Sequence, residues 1–79
     1  MSLRDRRKYG ITFFKVLRAA RTLGNDPEFI VESNQEFAEA IIAEICGPQF
    51  RSDVDVDWPS IIEWIIKWLP MILKILALF

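Results

Sequence analysis

Three aspartates at alternate positions are the residues of this chain that could bind a metal ion. Asp53, Asp55 and Asp57 follow the spacing in which carboxylates converge on calcium at the start of a calcium-binding loop. The rest of the loop does not follow, because Trp58 stands where glycine is needed and Trp64 where glutamate is needed. We therefore interpret the aspartates as a solvated acidic segment whose last member caps a helix.

The chain has few side chains suited to catalysis. It contains no histidine, the usual proton shuttle at neutral pH, and one cysteine, Cys46. A single cysteine can form neither an internal disulfide nor a four-ligand zinc site. Cys46 falls at the C-terminal end of a predicted helix, where the thiol pKa is not lowered, so we expect it to be a small packing residue. The sequence predicts no enzyme, no cofactor and no small-molecule substrate.

Charge is separated along the chain. The net charge is −1, yet seven of the ten basic residues lie between residues 4 and 21, and ten of the eleven acidic residues lie between 26 and 63. Helical spacing places five of the basic residues on one face: Arg4, Arg7, Lys8, Lys15 and Arg18. We expect this face to pair with the acidic second helix, in the same chain or in the next copy. The alternatives are nucleic acid, which is disfavoured, and anionic lipid.

Hydrophobic periodicity predicts an all-α protein. The predicted helices cover residues 3–23, 33–46 and 58–78, and an extended acidic linker covers residues 49–57. The linker is predicted to be extended because apolar and polar residues alternate along it. The whole chain, residues 1–79, is short enough to form one small domain.

Local signals place the helix ends. Gly10 lowers helix propensity by about 1 kcal/mol and marks a second place where the first helix could begin. Gly24 predicts a left-handed stop for that helix. Ser33 and Glu36 predict a capping box, with the glutamate reaching back to the cap residue. Asp57 is the predicted cap of the third helix.

The C-terminal segment, WPSIIEWIIKWLPMILKILALF, raises the question of a membrane. As a helix it is about 33 Å long, close to the thickness of a hydrocarbon core. Its apolar residues favour insertion by roughly 3–7 kcal/mol, but Lys67 near the centre costs roughly 3 kcal/mol and Glu63, Pro70 and Lys74 add to that cost. A spanning helix is therefore poorly encoded.

The polar residues of this segment instead form one narrow stripe. Ser60, Glu63, Lys67, Pro70 and Lys74 are three or four positions apart, so they share one side of the helix. The rest of its surface is apolar and exceeds what two short helices can cover. We expect sister copies to cover it through Ile61, Trp64, Ile65, Trp68, Leu69, Ile72 and Leu76.

These patterns favour a non-enzymatic homo-oligomer. Basic and acidic amphipathic helices precede a highly apolar C-terminal helix, and the chains assemble through that helix into a helical bundle. The predicted role is structural or adaptor-like, such as a component of a virion or another assembly, with an intracellular, cytoplasmic location favoured. The alternative from another class is a membrane-associated protein whose last helix inserts into lipid while the basic helix holds anionic headgroups.

Overall fold

The computed structural model describes residues 9–78, and this part of the chain folds into three α-helices. They are α1 (Phe13–Gly24), α2 (Asn34–Cys46) and α3 (Trp58–Leu76), with one 3₁₀ turn (Phe50–Ser52) between α2 and α3. Helix α1 packs on α2 and α3, and α2 packs on α3. No strand occurs within residues 9–78. The prediction of an all-α fold is confirmed.

Helix α1 begins later than the sequence pattern predicts. Gly10 has a φ of +64°, a conformation that glycine adopts readily, so a helix from residue 3 cannot continue through it. Thr12 is extended, and its hydroxyl accepts a hydrogen bond from the Lys15 backbone N–H at 3.2 Å. The first residues of the predicted helix, 3–8, lie outside the described part of the chain. The helix ends near the predicted residue, but no left-handed glycine ends it. Gly24 is helical, and Asn25, which follows it, has a φ of −88°.

Helix α2 begins at the predicted serine cap. The Ser33 hydroxyl accepts a hydrogen bond from the Glu36 backbone N–H at 3.2 Å. The Glu36 carboxylate reaches back one residue further than predicted and accepts the backbone N–H of Glu32 at 2.9 Å. These bonds satisfy the Glu36 N–H, which the first turn leaves without a helical partner, and the N–H of Glu32, which precedes the helix. Gly47, with a φ of +98°, ends the helix.

The acidic linker is not extended. It opens with the 3₁₀ turn and continues through further turns to Asp57. The alternation that predicted an extended segment fails at Val54, which is 87% exposed, whereas Phe50 and Val56 are buried in the core. Asp57 caps α3 as predicted, accepting the Ser60 backbone N–H at 3.3 Å and the Ser60 hydroxyl at 2.6 Å.

All parts of the described chain contribute to a single apolar core. Helix α3 provides six of its buried side chains: Trp58, Ile61, Ile62, Ile65, Leu69 and Ile72. Helices α1 and α2 cover them with Val16, Ala19, Ala20, Ala38, Ile41 and Ile42. The segments between helices add Phe50 and Val56, and Ile11 precedes α1. Small alanines on α1 and α2 allow the helices to approach closely while the larger residues of α3 fill the interior.

The polar stripe of α3 faces away from this core. Glu63, Lys67, Pro70 and Lys74 are exposed, and Ser60 is half-buried. The proline therefore interrupts helical hydrogen bonding on the side where water can replace the lost bond. Helix α3 has 19 residues, and none of the helices between residues 9 and 78 is both long enough and hydrophobic enough to traverse a bilayer.

Candidate interaction surface

The residues predicted to join copies lie mostly inside the folded chain. Ile61, Ile65, Leu69 and Ile72 are 0–1% exposed because α1 and α2 cover this side of α3. A second chain could reach these four side chains only if α3 left the fold. The other members of the predicted interface, Trp64, Trp68 and Leu76, are half-buried at the margin of the core.

Trp68 is held by α1 within the same chain. Its ring meets the Phe13 ring edge-on, with ring centroids 5.7 Å apart, a favourable geometry for two aromatic rings. This contact lies on one flank of α3, and Leu76 lies beyond the last fully buried residue, Ile72. Leu76 lines an open depression on the surface.

That depression is the apolar groove between α1 and the last turns of α3. Its first part has a volume of about 320 Å³, and it adjoins a second part of about 360 Å³ that shares Arg21 and Leu76 with it. We call the two parts together the α1–α3 groove. Its lining consists of Phe14, Leu17, Arg18, Arg21, Gly24, Asn25, Leu73, Leu76 and Ala77.

Helical spacing explains how α1 contributes both apolar and basic side chains to the groove. Phe14, Arg18 and Arg21 are four and three positions apart, so they lie on one side of the helix. That side is turned away from the buried Val16 and Ala20, and Phe14 is accordingly 69% exposed. The apolar body of each arginine can lie along the groove while its guanidinium meets water.

Sequence reasoning missed Phe14 and Leu73 as surface residues. Phe14 follows Phe13, and only the latter lies in phase with the buried positions of α1. Leu73 is 47% exposed because it falls on the flank of α3 that borders the open groove. The sequence does contain a signal for Phe14. It is an apolar residue out of phase with the buried side of its helix, and Arg18 and Arg21 follow it one and two turns later.

The predicted basic face is only partly described. Arg4, Arg7 and Lys8 lie outside residues 9–78, whereas Lys15 and Arg18 are exposed on α1. Both of these line a shallow depression of about 240 Å³ together with Glu44 of α2. No ion pair forms there between residues the structure describes. Lys15 and Arg18 therefore lie near Glu44 without a direct salt bridge to it, and the pairing of the whole basic face with α2 stays a prediction.

An ion pair does form elsewhere on α2. The Arg51 guanidinium donates to the Glu39 carboxylate, which connects the 3₁₀ turn to the acidic helix. The Arg51 side chain also lies over the Phe50 ring, with its guanidinium carbon 5.3 Å from the ring centroid. Arg51 of the linker thus balances the charge of one carboxylate on the acidic face of α2.

Two of the alternating aspartates, Asp53 and Asp57, accept hydrogen bonds from backbone N–H groups and from side-chain hydroxyls. Asp53 accepts the Tyr9 hydroxyl and the backbone N–H of Asp55. Asp57 caps α3, and the hydrogen bonds from the Ser60 hydroxyl and then from its backbone N–H lower the pKa of Asp57. No group of acidic, cysteine or histidine side chains in the described part of the chain has the arrangement of a metal site.

Cys46 is a partly buried thiol at the end of α2. Burial raises its pKa, and the positive charge of Lys15 opposes that effect to a smaller extent. A thiol with a raised pKa is mostly protonated at neutral pH and therefore a weak nucleophile. Its place beside the core agrees with a packing role.

Comparisons with protein families, with curated proteins and with solved structures find no significant match to this chain.

Proposed function

We propose that the protein is a non-enzymatic module that acts by self-association, as a structural or assembly component or as an adaptor. The observation that carries the proposal is the α1–α3 groove, whose lining is mainly apolar and open to solvent. A patch of adjoining apolar side chains that are exposed on a small domain indicates a binding site for another molecule.

The chemistry of the remaining side chains supports a role without catalysis. The sequence has no histidine, and burial raises the pKa of the Cys46 thiol. The carboxylates of Asp53 and Asp57 accept hydrogen bonds that hold the fold. An apolar groove with arginines at its edge is suited to binding a surface and offers no proton donor or nucleophile to a substrate.

The proposal differs from the sequence-based one in the surface that it uses. Four of the predicted interface residues form the interior of the chain, so the contact between copies uses the margin of α3, with Leu73 and Leu76, and the outer side of α1. This leaves the core of each chain intact on assembly. A folded chain can then associate and dissociate reversibly.

Light scattering of the full chain in detergent-free buffer tests this function. We expect a molar mass above that of one chain, 9.2 kDa, that rises with protein concentration. Leu73→Gln should lower the average mass, because Gln keeps helix propensity and removes an apolar side chain from the groove. Met71→Gln is the matched control, since Met71 is 48% and Leu73 47% exposed and Met71 does not line the groove. A single-chain mass at every concentration would overturn the proposal.

Association with a membrane surface is the second candidate function. It is favoured by the outer side of α3, where Met71 is exposed beside Lys67 and Lys74, and by Leu78, which is exposed just beyond the end of that helix. Apolar and basic residues on one helix face suit binding to anionic lipid. Sedimentation with vesicles of phosphatidylserine and phosphatidylcholine tests it. If this side of α3 binds membranes, Met71→Gln should reduce sedimentation with the vesicles and Leu73→Gln should not.

A further inference from the structure

A single large apolar side chain, Ile30, is exposed in the loop between α1 and α2. It is 82% exposed, although its neighbour Phe29 is partly buried. A β-branched residue in this position adds nothing to the core of its own chain. Its exposure also shows that it does not occupy the α1–α3 groove of its own chain.

The loop holds Ile30 between two fixed points. On one side, the Phe29 ring packs edge-on against Phe37 of α2 with centroids 5.8 Å apart, and the Phe29 N–H donates to the Asp26 carbonyl at 3.1 Å. On the other side, the Glu32 N–H donates to the Glu36 carboxylate. A side chain presented by an anchored loop loses less conformational freedom on binding than one on a free coil.

The charges beside Ile30 complement those beside the groove. Glu28 and Glu32 lie two residues to either side of Ile30 and are exposed. The groove carries Arg18 and Arg21 on the α1 side. An apolar side chain between two acids therefore matches an apolar groove edged by two bases, and the chain supplies both halves.

We propose that Ile30 of one copy inserts into the α1–α3 groove of a second copy, with Glu28 and Glu32 facing Arg18 and Arg21. This inference rests on the proposed self-association and names its contact. The groove, at about 320 Å³ in its first part, has room for one isoleucine side chain. Attraction between the charges selects the acidic loop over the basic surfaces of the protein and is weakened by salt.

The first test compares two variants of exposed loop residues. Ile30→Ser removes the inserted side chain, and Val54→Ser is the matched control, because Val54 is 87% exposed in a loop away from the groove. Analytical ultracentrifugation of the full chain should show a dissociation constant roughly tenfold to a hundredfold higher for Ile30→Ser, as expected for loss of one buried aliphatic side chain. Val54→Ser should match the wild type. Circular dichroism should be unchanged in both variants, and so should urea unfolding at a protein concentration low enough to disfavour assembly, because neither side chain lies in the core.

The second test exchanges the charges. Arg18→Glu in one preparation and the double variant Glu28→Arg, Glu32→Arg in another should each weaken self-association. Mixing the two should form a heteromer, because the altered groove of one then faces the altered loop of the other. Restoration on mixing identifies the two surfaces as partners.

The outcomes separate this contact from the proposed function. A wild type that is multimeric, with Ile30→Ser equally multimeric, overturns the Ile30 contact and leaves self-association standing. Equal weakening by Ile30→Ser and Val54→Ser also overturns it. A wild type that is monomeric throughout overturns both. If the groove variants lose binding to anionic vesicles and show no change in mass, the groove binds lipid and the Ile30 contact is wrong.

Discussion

The Tyr9 hydroxyl donates a hydrogen bond to the Asp53 carboxylate, joining residues that are 44 positions apart. The same tyrosine ring packs against Trp58 with centroids 5.3 Å apart, and the Trp58 indole N–H donates to the Asp53 carbonyl at 2.9 Å. Phe50 meets Trp58 edge-on from the linker. These contacts connect the residues before α1 to the start of α3, so the acidic linker is held at both ends.

Tyr9→Phe should destabilise the fold without changing its packing. The variant keeps the ring on Trp58 and removes the hydroxyl, so the cost is that of one partly buried hydrogen bond to a carboxylate, about 1–2 kcal/mol. Urea unfolding followed by circular dichroism measures it. Tyr9→Leu, which also removes the aromatic contact, should cost more. Equal stability of Tyr9→Phe and the wild type would show that the hydroxyl contributes nothing to folding.

Ile65→Ala should be strongly destabilising, because Ile65 is fully buried within the chain. Removing a large aliphatic side chain from a packed core costs about 2–5 kcal/mol. Leu73→Ala, on the exposed flank of the same helix, should cost about 1 kcal/mol or less. Unfolding curves at a protein concentration low enough to disfavour assembly check both values. Were Ile65 instead a contact between copies, Ile65→Ala would shift the oligomer mass and leave the unfolding of the single chain unchanged.

The contrast between Ile65 and Leu73 shows what the sequence could predict. The spacing of apolar residues in α3 correctly places Ile61, Ile65, Leu69 and Ile72 on one side, and Ser33 and Asp57 correctly predict where α2 and α3 begin. These are local effects, which depend on residues within one or two turns. The sequence could not show what covers that side of α3, because coverage depends on segments distant along the chain.

The linker accounts for much of that difference. Phe50 and Val56 alternate with polar residues, which predicted an extended linker, yet the linker turns and both side chains are buried. Ile11, ahead of α1, is also buried. These residues outside the helices help to bury the apolar surface of α3, which the sequence-based argument expected only the two other helices to cover. The α1–α3 groove was missed for the related reason that it exists only where two distant helices meet.

Stability should fall in acid partly through Asp57. Its pKa is lowered in the folded chain by the hydrogen bonds from Ser60, so the folded state binds a proton less readily than the unfolded state does. The stabilisation is therefore present above the ordinary pKa of an aspartate and is lost as the pH falls through the lowered value. Thermal unfolding between about pH 7 and pH 2 should show a shallower acid decline for Asp57→Asn, because asparagine caps a helix without titrating.

Asp55→Asn is the control for this titration. It removes a carboxylate from the same linker, but one that caps no helix, and the described residues donate no hydrogen bond to it. Its acid decline should follow that of the wild type. Identical curves for Asp57→Asn and Asp55→Asn would show that the Asp57 cap does not contribute to acid unfolding.

Cys46 should react slowly with iodoacetamide at neutral pH. Burial raises the pKa of its thiol, and Lys15 lowers it to a smaller extent, so the reactive thiolate is scarce. The alkylation rate of the folded protein should rise with pH through a midpoint above that of the chain unfolded in urea. Lys15→Gln should move that midpoint further upward, because it removes the charge that favours the thiolate.

The effect of Cys46 on stability has the opposite sign to that of Asp57. A raised pKa stabilises the fold below the ordinary thiol pKa, and that stabilisation is lost as the pH rises through the raised value. A midpoint at or below that of the unfolded chain would contradict the packing role and make Cys46 a candidate reactive group.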